Sequence, residues 1–148
     1  MGGVGGLVLD QTPYSRSKRL AGVRILLVED NTDCLNALRV LLEFNGAEVE
    51  GVACAAEARA VLPELRPHVL ISDLSMPGED GFALMAWVRR LAPEQGRDTP
   101  AMAFSALSPG DAEARATDAG FQVFLRKPGD VLLVVPTVVR LLPPTLAP

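Results

Sequence analysis

The chain has 148 residues and a formal net charge of −4, and a length in this range favours a single domain. Apolar residues make up 49% and charged residues 22%, which are ordinary proportions for a globular protein and argue against a largely disordered chain. The longest uncharged run, Thr99–Gly110, is shorter than the roughly 20 residues of a membrane-spanning helix, and the acidic balance disfavours direct binding of nucleic acid.

The first 21 residues are predicted to form a flexible tail, because glycine is frequent at the start and a polar, basic stretch follows. Residues 22–148 are then expected to form the folded domain. The tail lacks the basic start and the long apolar stretch of a secretory signal. Cys34 and Cys54 fit neither a disulfide framework nor a zinc site, so we expect free thiols and a cytoplasmic location.

Five short apolar runs alternate with five helical segments along the rest of the chain. The predicted strands are Val23–Val28, Ala47–Ala53, His68–Ser72, Ala101–Phe104 and Phe121–Leu125. The predicted helices are Asp33–Phe44, Ala55–Leu65, Phe82–Leu91, Gly110–Ala119 and Gly129–Leu142. Because strands and helices alternate, the sequence predicts an α/β protein with a parallel sheet.

Three of the predicted helices carry further expectations. Pro63 is expected to end or kink the second helix early, and Pro136 to interrupt the last one. Proline has this effect because it lacks the amide donor and its ring clashes with the preceding turn. The third helix is expected to turn Phe82, Met85, Ala86 and Trp87 toward the sheet.

Chemically active side chains follow four of the predicted strands. Glu29 and Asp30 end the first strand, and Asp73 ends the third. Ser105 follows the fourth strand and Lys127 the fifth. The carboxyl ends of parallel strands share one edge of the sheet, so these side chains are expected to converge. Clustered carboxylates need a cation, and oxygen ligands with room for water and phosphate favour Mg²⁺. The nucleophile available at this edge is a carboxylate, which can form an aspartyl phosphate.

Four segments resemble a known family when taken together and in this order. They are ILLVED at 25–30, ISDLSMPGEDG at 71–81, AFSA at 103–106 and FLRKP at 124–128. The chain resembles the receiver domain of two-component response regulators over about residues 22–142. The resemblance implies the CheY-like, flavodoxin-like (βα)5 fold, a three-layer sandwich whose five-stranded parallel sheet has the order 2-1-3-4-5.

The resemblance also implies a phosphorylation site with bound Mg²⁺. Asp73 would be the phosphoryl acceptor. Asp30 and Asp73 would ligate Mg²⁺ directly, together with the backbone carbonyl of Ser75, and Glu29 would act through a metal-bound water. Catalysis would then consist of positioning and charge neutralisation, as is usual for phosphoryl transfer.

The same resemblance implies a switch and a set of partners. Ser105 and Lys127 would hold phosphoryl oxygens, and Ser105 and Phe124 would change conformation on phosphorylation. Phe124 stands where many relatives have tyrosine, so it lacks a hydroxyl. The phosphoryl donor would be a phosphohistidine on a histidine kinase or a histidine phosphotransfer protein. The output would be an altered surface for an unidentified downstream protein, and a homodimer stays open.

Two other interpretations compete with a phosphoryl-accepting switch. The first is a Mg²⁺-dependent phosphatase that uses Asp73 on outside substrates. Such enzymes usually need a second acidic residue close to the nucleophile, which Asp73-Leu74-Ser75 lacks. The second is a degenerate receiver that only binds a protein, although all five site residues are retained. We therefore expect the protein not to be an enzyme, apart from catalysing its own phosphoryl acceptance and autodephosphorylation. It could be a free-standing regulator or a receiver module of a hybrid kinase.

Overall fold

The computed structural model describes residues 18–146, in which five strands alternate with five α-helices. The strands are β1 (Arg24–Val28), β2 (Glu48–Val52), β3 (Val69–Ser72), β4 (Ala101–Ser105) and β5 (Val123–Arg126). The helices are α1 (Thr32–Phe44), α2 (Ala55–Leu65), α3 (Gly81–Val88), α4 (Pro109–Ala119) and α5 (Val134–Leu141). Short 3-10 turns at Pro93–Gln95 and Val131–Leu133 precede β4 and α5.

The sheet has the order β2-β1-β3-β4-β5, and each pair of neighbouring strands is parallel. The predicted flavodoxin-like fold and its strand order are confirmed. Alternate residues of β1 face opposite sides, because strand side chains have a period of two. Ile25 and Leu27 join a core cluster with α1 and α5, whereas Leu26 and Val28 join one with α2 and α3. The sheet is therefore the middle layer of three.

The buried face of α3 differs from the prediction. Leu84, Met85 and Val88 are buried, whereas the predicted Phe82, Ala86 and Trp87 are only half-buried. Periodicity could not distinguish the two faces, since the seven residues from 82 to 88 are all apolar.

The fifth strand begins at Val123 rather than at Phe121. The amide of Phe121 donates to the carbonyl of Ala116 at 3.0 Å, so Phe121 closes α4 instead of starting the strand. Gly120 allows this turn with a φ of 121°, a conformation that suits glycine.

Pro63 does not end its helix, and Pro136 does not interrupt the last one. α2 continues through Pro63 to Leu65. α5 begins at Val134 rather than at Gly129, which places Pro136 in the first turn. Amide groups of the first turn have no partner within the helix, so proline is tolerated there.

The packed part of the chain includes Leu20, which the sequence analysis assigned to the tail. Leu20 is fully buried, and its amide donates to the carbonyl of Asn45 at 2.8 Å. Residues 1–17 of the predicted tail lie outside the described residues. Cys34 and Cys54 are half-buried and unpaired, as expected. Between residues 18 and 146, the helices are too short or too polar to cross a membrane.

Candidate functional site

The parallel sheet brings the predicted site residues to one edge. Glu29 and Asp30 directly follow β1, and Asp73 directly follows β3. Backbone bonds fix these ends, because the amide of Asp73 donates to the carbonyl of Val28 at 2.9 Å. Ser105 is the last residue of β4, and Lys127 follows β5.

The three carboxylates form a cluster that could hold a metal ion. One carboxylate oxygen from each of Glu29, Asp30 and Asp73 lies within 4.8 Å of the others. Glu29 is 2% exposed and Asp73 is 7% exposed, whereas Asp30 is open to solvent. An all-oxygen donor set with one exposed member fits a hard cation that keeps some of its water, such as Mg²⁺.

Lys127 supplies a positive charge to this cluster. Its Nζ donates to Oε1 of Glu29 at 2.6 Å and to Oδ2 of Asp73 at 3.1 Å. Burial lowers the pKa of Lys127, but the hydrogen bonds and charges of Glu29 and Asp73 outweigh it, so the pKa is raised overall. The ammonium group therefore stays charged and neutralises part of the cluster.

Both carboxylate oxygens of Asp73 already accept hydrogen bonds. Oδ1 accepts from the amide of Leu74 at 2.7 Å and from that of Ser75 at 3.3 Å, while Oδ2 accepts from Lys127. Ser75 itself is exposed and begins the open part of the loop between β3 and α3. The backbone thus orients the carboxylate, and the lysine holds its second oxygen.

Ser105 lies at the same edge but contacts a different group. It is fully buried, and its Oγ accepts from the amide of Leu107 at 3.2 Å. The hydroxyl hydrogen of Ser105 stays available for another acceptor, since the oxygen uses a lone pair in this bond. Phe124, one position before Leu125 on β5, is half-buried against the cluster on the α2 and α3 side.

Sequence reasoning missed a thiol beside the acidic cluster. Cys34 is in the first turn of α1, whose N-cap is Asn31. Burial raises the pKa of the Cys34 thiol to about 11, and the charge and hydrogen-bond acceptance of Glu29 add to this effect. The thiol is therefore protonated at neutral pH. The signal in the sequence was that Cys34 lies at the start of the predicted helix that follows Glu29, which places the two side chains close together.

An apolar groove of about 500 Å³ opens beside Lys127, between α1 and the 3-10 turn at Val131–Leu133. The residues lining it, besides Lys127, are Cys34, Ala37, Leu38, Leu41, Phe104, Pro128, Val131 and Leu132. Leu132 is 83% exposed and its neighbour Leu133 is 49% exposed. Exposed apolar surface of this kind is typical of an interaction site.

Gly81 allows α3 to approach the backbone that directly follows β3. A Cβ at this position would lie 2.2 Å from the carbonyl oxygen of Asp73 and 2.9 Å from Cα of Leu74. We expect Gly81→Ala to lower the free energy of unfolding by about 1–3 kcal/mol, because backbone atoms must shift to accept the methyl group. Urea unfolding measures this loss.

The matched control is Gly110→Ala in α4, where a Cβ would meet no atom within 4 Å. Alanine is about 1 kcal/mol more favourable than glycine inside a helix, so this variant should be at least as stable as the parent protein. Equal unfolding midpoints for the two variants would contradict the close approach at Gly81.

Comparisons with known proteins agree with this geometry. Residues 25–135 match the family described as the response regulator receiver domain. A Leptolyngbya boryana protein, described as an uncharacterized 14.6 kDa protein in the sodA1 3′ region, is 38% identical over 116 residues, 78% of this chain and 87% of that protein. The transcriptional regulatory protein PrrA of Mycobacterium leprae is 32% identical over 105 residues, 71% of this chain and 43% of PrrA.

Solved structures show the same fold. The chemotaxis response regulator CheY4 of Vibrio cholerae has a TM-score of 0.74 and 28% identity, covering 81% of this chain and 98% of CheY4. The signal receiver domain of a histidine kinase from Syntrophus aciditrophicus has a TM-score of 0.73 and 32% identity, covering 80% of this chain and 89% of that domain. The chain thus spans less than half of PrrA but most of each of these two structures.

Proposed function

The chain belongs to the response regulator receiver domain family of two-component signalling, and from this premise we propose that Asp73 accepts a phosphoryl group from a phosphohistidine with Mg²⁺ bound. Receiver domains are signalling modules, so the proposed output is a changed protein-interaction surface. The observation that carries the proposal is the buried Asp73 carboxylate, which lies beside Glu29 and Asp30 and is contacted by Lys127.

The proposed Mg²⁺ site uses the acidic cluster. Asp30 and Asp73 are the proposed direct ligands together with the backbone carbonyl of Ser75, and Glu29 is proposed to act through a water molecule. When bound, the ion would neutralise charge on the phosphoryl oxygens and hold them in place. The all-oxygen chemistry of the cluster and the exposure of Asp30 support this assignment.

The proposed transfer moves a phosphoryl group from nitrogen to oxygen. An oxygen of Asp73 forms the new P–O bond, while the P–N bond of the donor breaks and its electron pair returns to the imidazole nitrogen. Oδ2 is the proposed nucleophile, because Oδ1 is held by two backbone amides and Oδ2 only by the flexible side chain of Lys127. Lys127 would then move to a phosphoryl oxygen.

The donor is proposed to be a histidine kinase or a histidine phosphotransfer protein that approaches over the exposed edge. The apolar groove beside Lys127 supports contact with a protein, and its exposed Leu132 would be covered there. The downstream partner is a further protein. A cytoplasmic setting is supported by the two unpaired thiols, since disulfides are rare in reducing compartments.

Intact-mass spectrometry after incubation with acetyl phosphate tests the function. With Mg²⁺ the protein should gain the mass of one phosphoryl group, and with a chelator it should not. Asp73→Asn should stay unmodified under both conditions. An unmodified parent protein, or a modified Asp73→Asn, would overturn the proposal. Sustained release of phosphate from an outside monoester would favour a phosphatase instead.

The proposed switch links Ser105 to Phe124. A phosphoryl group on Asp73 would draw the hydroxyl of Ser105 toward its oxygens, and the half-buried Phe124 would turn inward to fill the space. Fully burying an exposed phenylalanine contributes about 1.5–3 kcal/mol, so completing the burial of the half-buried Phe124 contributes roughly half of that, a scale suited to a shift between two populated states.

Ser105→Ala should therefore still bind a phosphoryl mimic at Asp73 but lose the linked change on α4 and β5. Amide chemical shifts with and without beryllofluoride measure this coupling. We expect the parent protein to shift throughout α4 and β5, and Ser105→Ala to shift only close to Asp73. A full parent-like pattern in Ser105→Ala would show that the coupling is wrong.

A further inference from the structure

The loop between β3 and α3 carries both Asp73 and the proposed carbonyl ligand of Ser75. Its two ends are firmly held, because the amide of Gly81 donates to the carbonyl of Leu74 at 2.9 Å and Asp80 caps α3. Between these ends Met76 is buried in the core cluster on the α2 and α3 side, whereas Ser75, Pro77 and Gly78 are exposed. Beyond the packing of Met76, the shape of the loop therefore depends on few contacts.

One of those contacts comes from the neighbouring helix α2. The guanidinium group of Arg59 forms an ion pair with the carboxylate of Glu79, which ends the open part of the loop. The same guanidinium lies 5.3 Å from the ring centroid of Trp87 on α3. Arg59 thus contacts the loop and α3 at once, through an ion pair and a cation–π interaction.

A loop that offers a backbone carbonyl as a ligand must hold it in place before the ion arrives. A carbonyl brings no net charge, so its contribution depends on preorganisation more than on attraction. The residues from 75 to 79 join Ser75 directly to Glu79 within the same short loop. Met76 anchors this stretch next to Ser75 and Glu79 anchors its far end, so a contact that fixes Glu79 adds to the restriction on where the carbonyl of Ser75 can point.

We propose that Arg59 is a positioning residue for phosphoryl acceptance, which holds residues 75–79 through Glu79 and thereby sets the affinity for Mg²⁺. Within residues 18–146, the ion pair of Arg59 is with Glu79 and not with the acidic cluster, so Arg59 acts through the loop. This inference rests on the proposed function, because the affected step is loading of the metal site.

A double-mutant cycle on the whole chain tests the proposal. The variants are Arg59→Met, Glu79→Gln and the double substitution, each checked for folding by circular dichroism. Hydrogen exchange of the amides of Ser75, Met76, Gly78 and Glu79 is measured without metal, and Mg²⁺ affinity by calorimetry. Each single variant should exchange faster and bind Mg²⁺ roughly threefold to tenfold more weakly, the scale of a partly exposed ion pair with a cation–π contact. The double variant should lose no more affinity than Arg59→Met alone.

The control is Asp98→Asn, which breaks the exposed ion pair with Arg97 in the loop that precedes β4 at the opposite edge of the sheet. It should leave both measurements unchanged. Folded single variants with parent-like exchange and affinity would overturn the proposal, as would fully additive losses in the double variant. If the parent protein binds no Mg²⁺, the proposed function fails, and exchange in the metal-free variants still decides whether Arg59 holds the loop.

Discussion

Lys127→Met should destabilise the metal-free protein by about 3–5 kcal/mol, the usual cost of removing one partner from a buried ion pair. The side chain of Glu29 is 2% exposed and that of Asp73 is 9% exposed, so both carboxylates would lose their cation with little water to replace it. Added Mg²⁺ should recover a large part of the lost stability, because the ion brings positive charge back to the same carboxylates. Urea unfolding with and without Mg²⁺ measures both effects.

The neighbouring Arg126 provides a matched control. Its side chain is exposed at the end of β5, and Arg126→Met removes the same charge without touching the cluster. This variant should unfold within about 0.5 kcal/mol of the parent protein, with an unchanged response to Mg²⁺. If the two variants were equally stable, Lys127 would not be neutralising the buried carboxylates.

Asp30→Asn should lower the affinity for Mg²⁺ by at least about tenfold, because unit charges 4 Å apart interact by about 4 kcal/mol at a dielectric near 20. The metal-free protein should be as stable as the parent or slightly more so, because the exposed Asp30 repels Glu29 and Asp73. A substitution that weakens Mg²⁺ binding but does not weaken folding indicates that the residue serves ligand binding rather than stability. Calorimetric titration and urea unfolding give the two values.

Asp33→Asn is the control for this variant, since Asp33 lies nearby in the first turn of α1 but outside the acidic cluster. We expect its Mg²⁺ affinity to stay within about twofold of the parent value, because Asp33 is exposed and solvent and salt screen its charge. A similar loss of affinity in both variants would assign the effect to general electrostatics rather than to ligation by Asp30.

The sequence contained enough information for the fold and for the position of the site. Apolar runs that alternate with helical segments predict a parallel sheet. The carboxyl ends of parallel strands lie at the same edge, so the sequence alone predicts that Glu29 and Asp73 are close together. The strand order came from the family resemblance, because periodicity carries no information on which strands are neighbours.

Other features depended on contacts that the sequence does not display. The prediction for Pro136 is wrong because the effect of a proline depends on where the helix begins, and a sequence defines a helix start only to within a few residues. Leu20 falls within the predicted tail because it follows a polar, basic stretch and stands outside the helix and strand patterns of the sequence. The pairing of Arg59 with Glu79 joins residues on separate elements, so only packing reveals it.

The most direct test of phosphoryl acceptance locates the phosphoryl group on the chain. Protein treated with acetyl phosphate and Mg²⁺ is reduced with borohydride, which converts an aspartyl phosphate to homoserine, and its peptides are sequenced by mass spectrometry. We predict homoserine at position 73, and none when the metal is chelated. Homoserine at Asp30 or at another carboxylate, with Asp73 unmodified, would contradict the assignment of Asp73 as the phosphoryl acceptor.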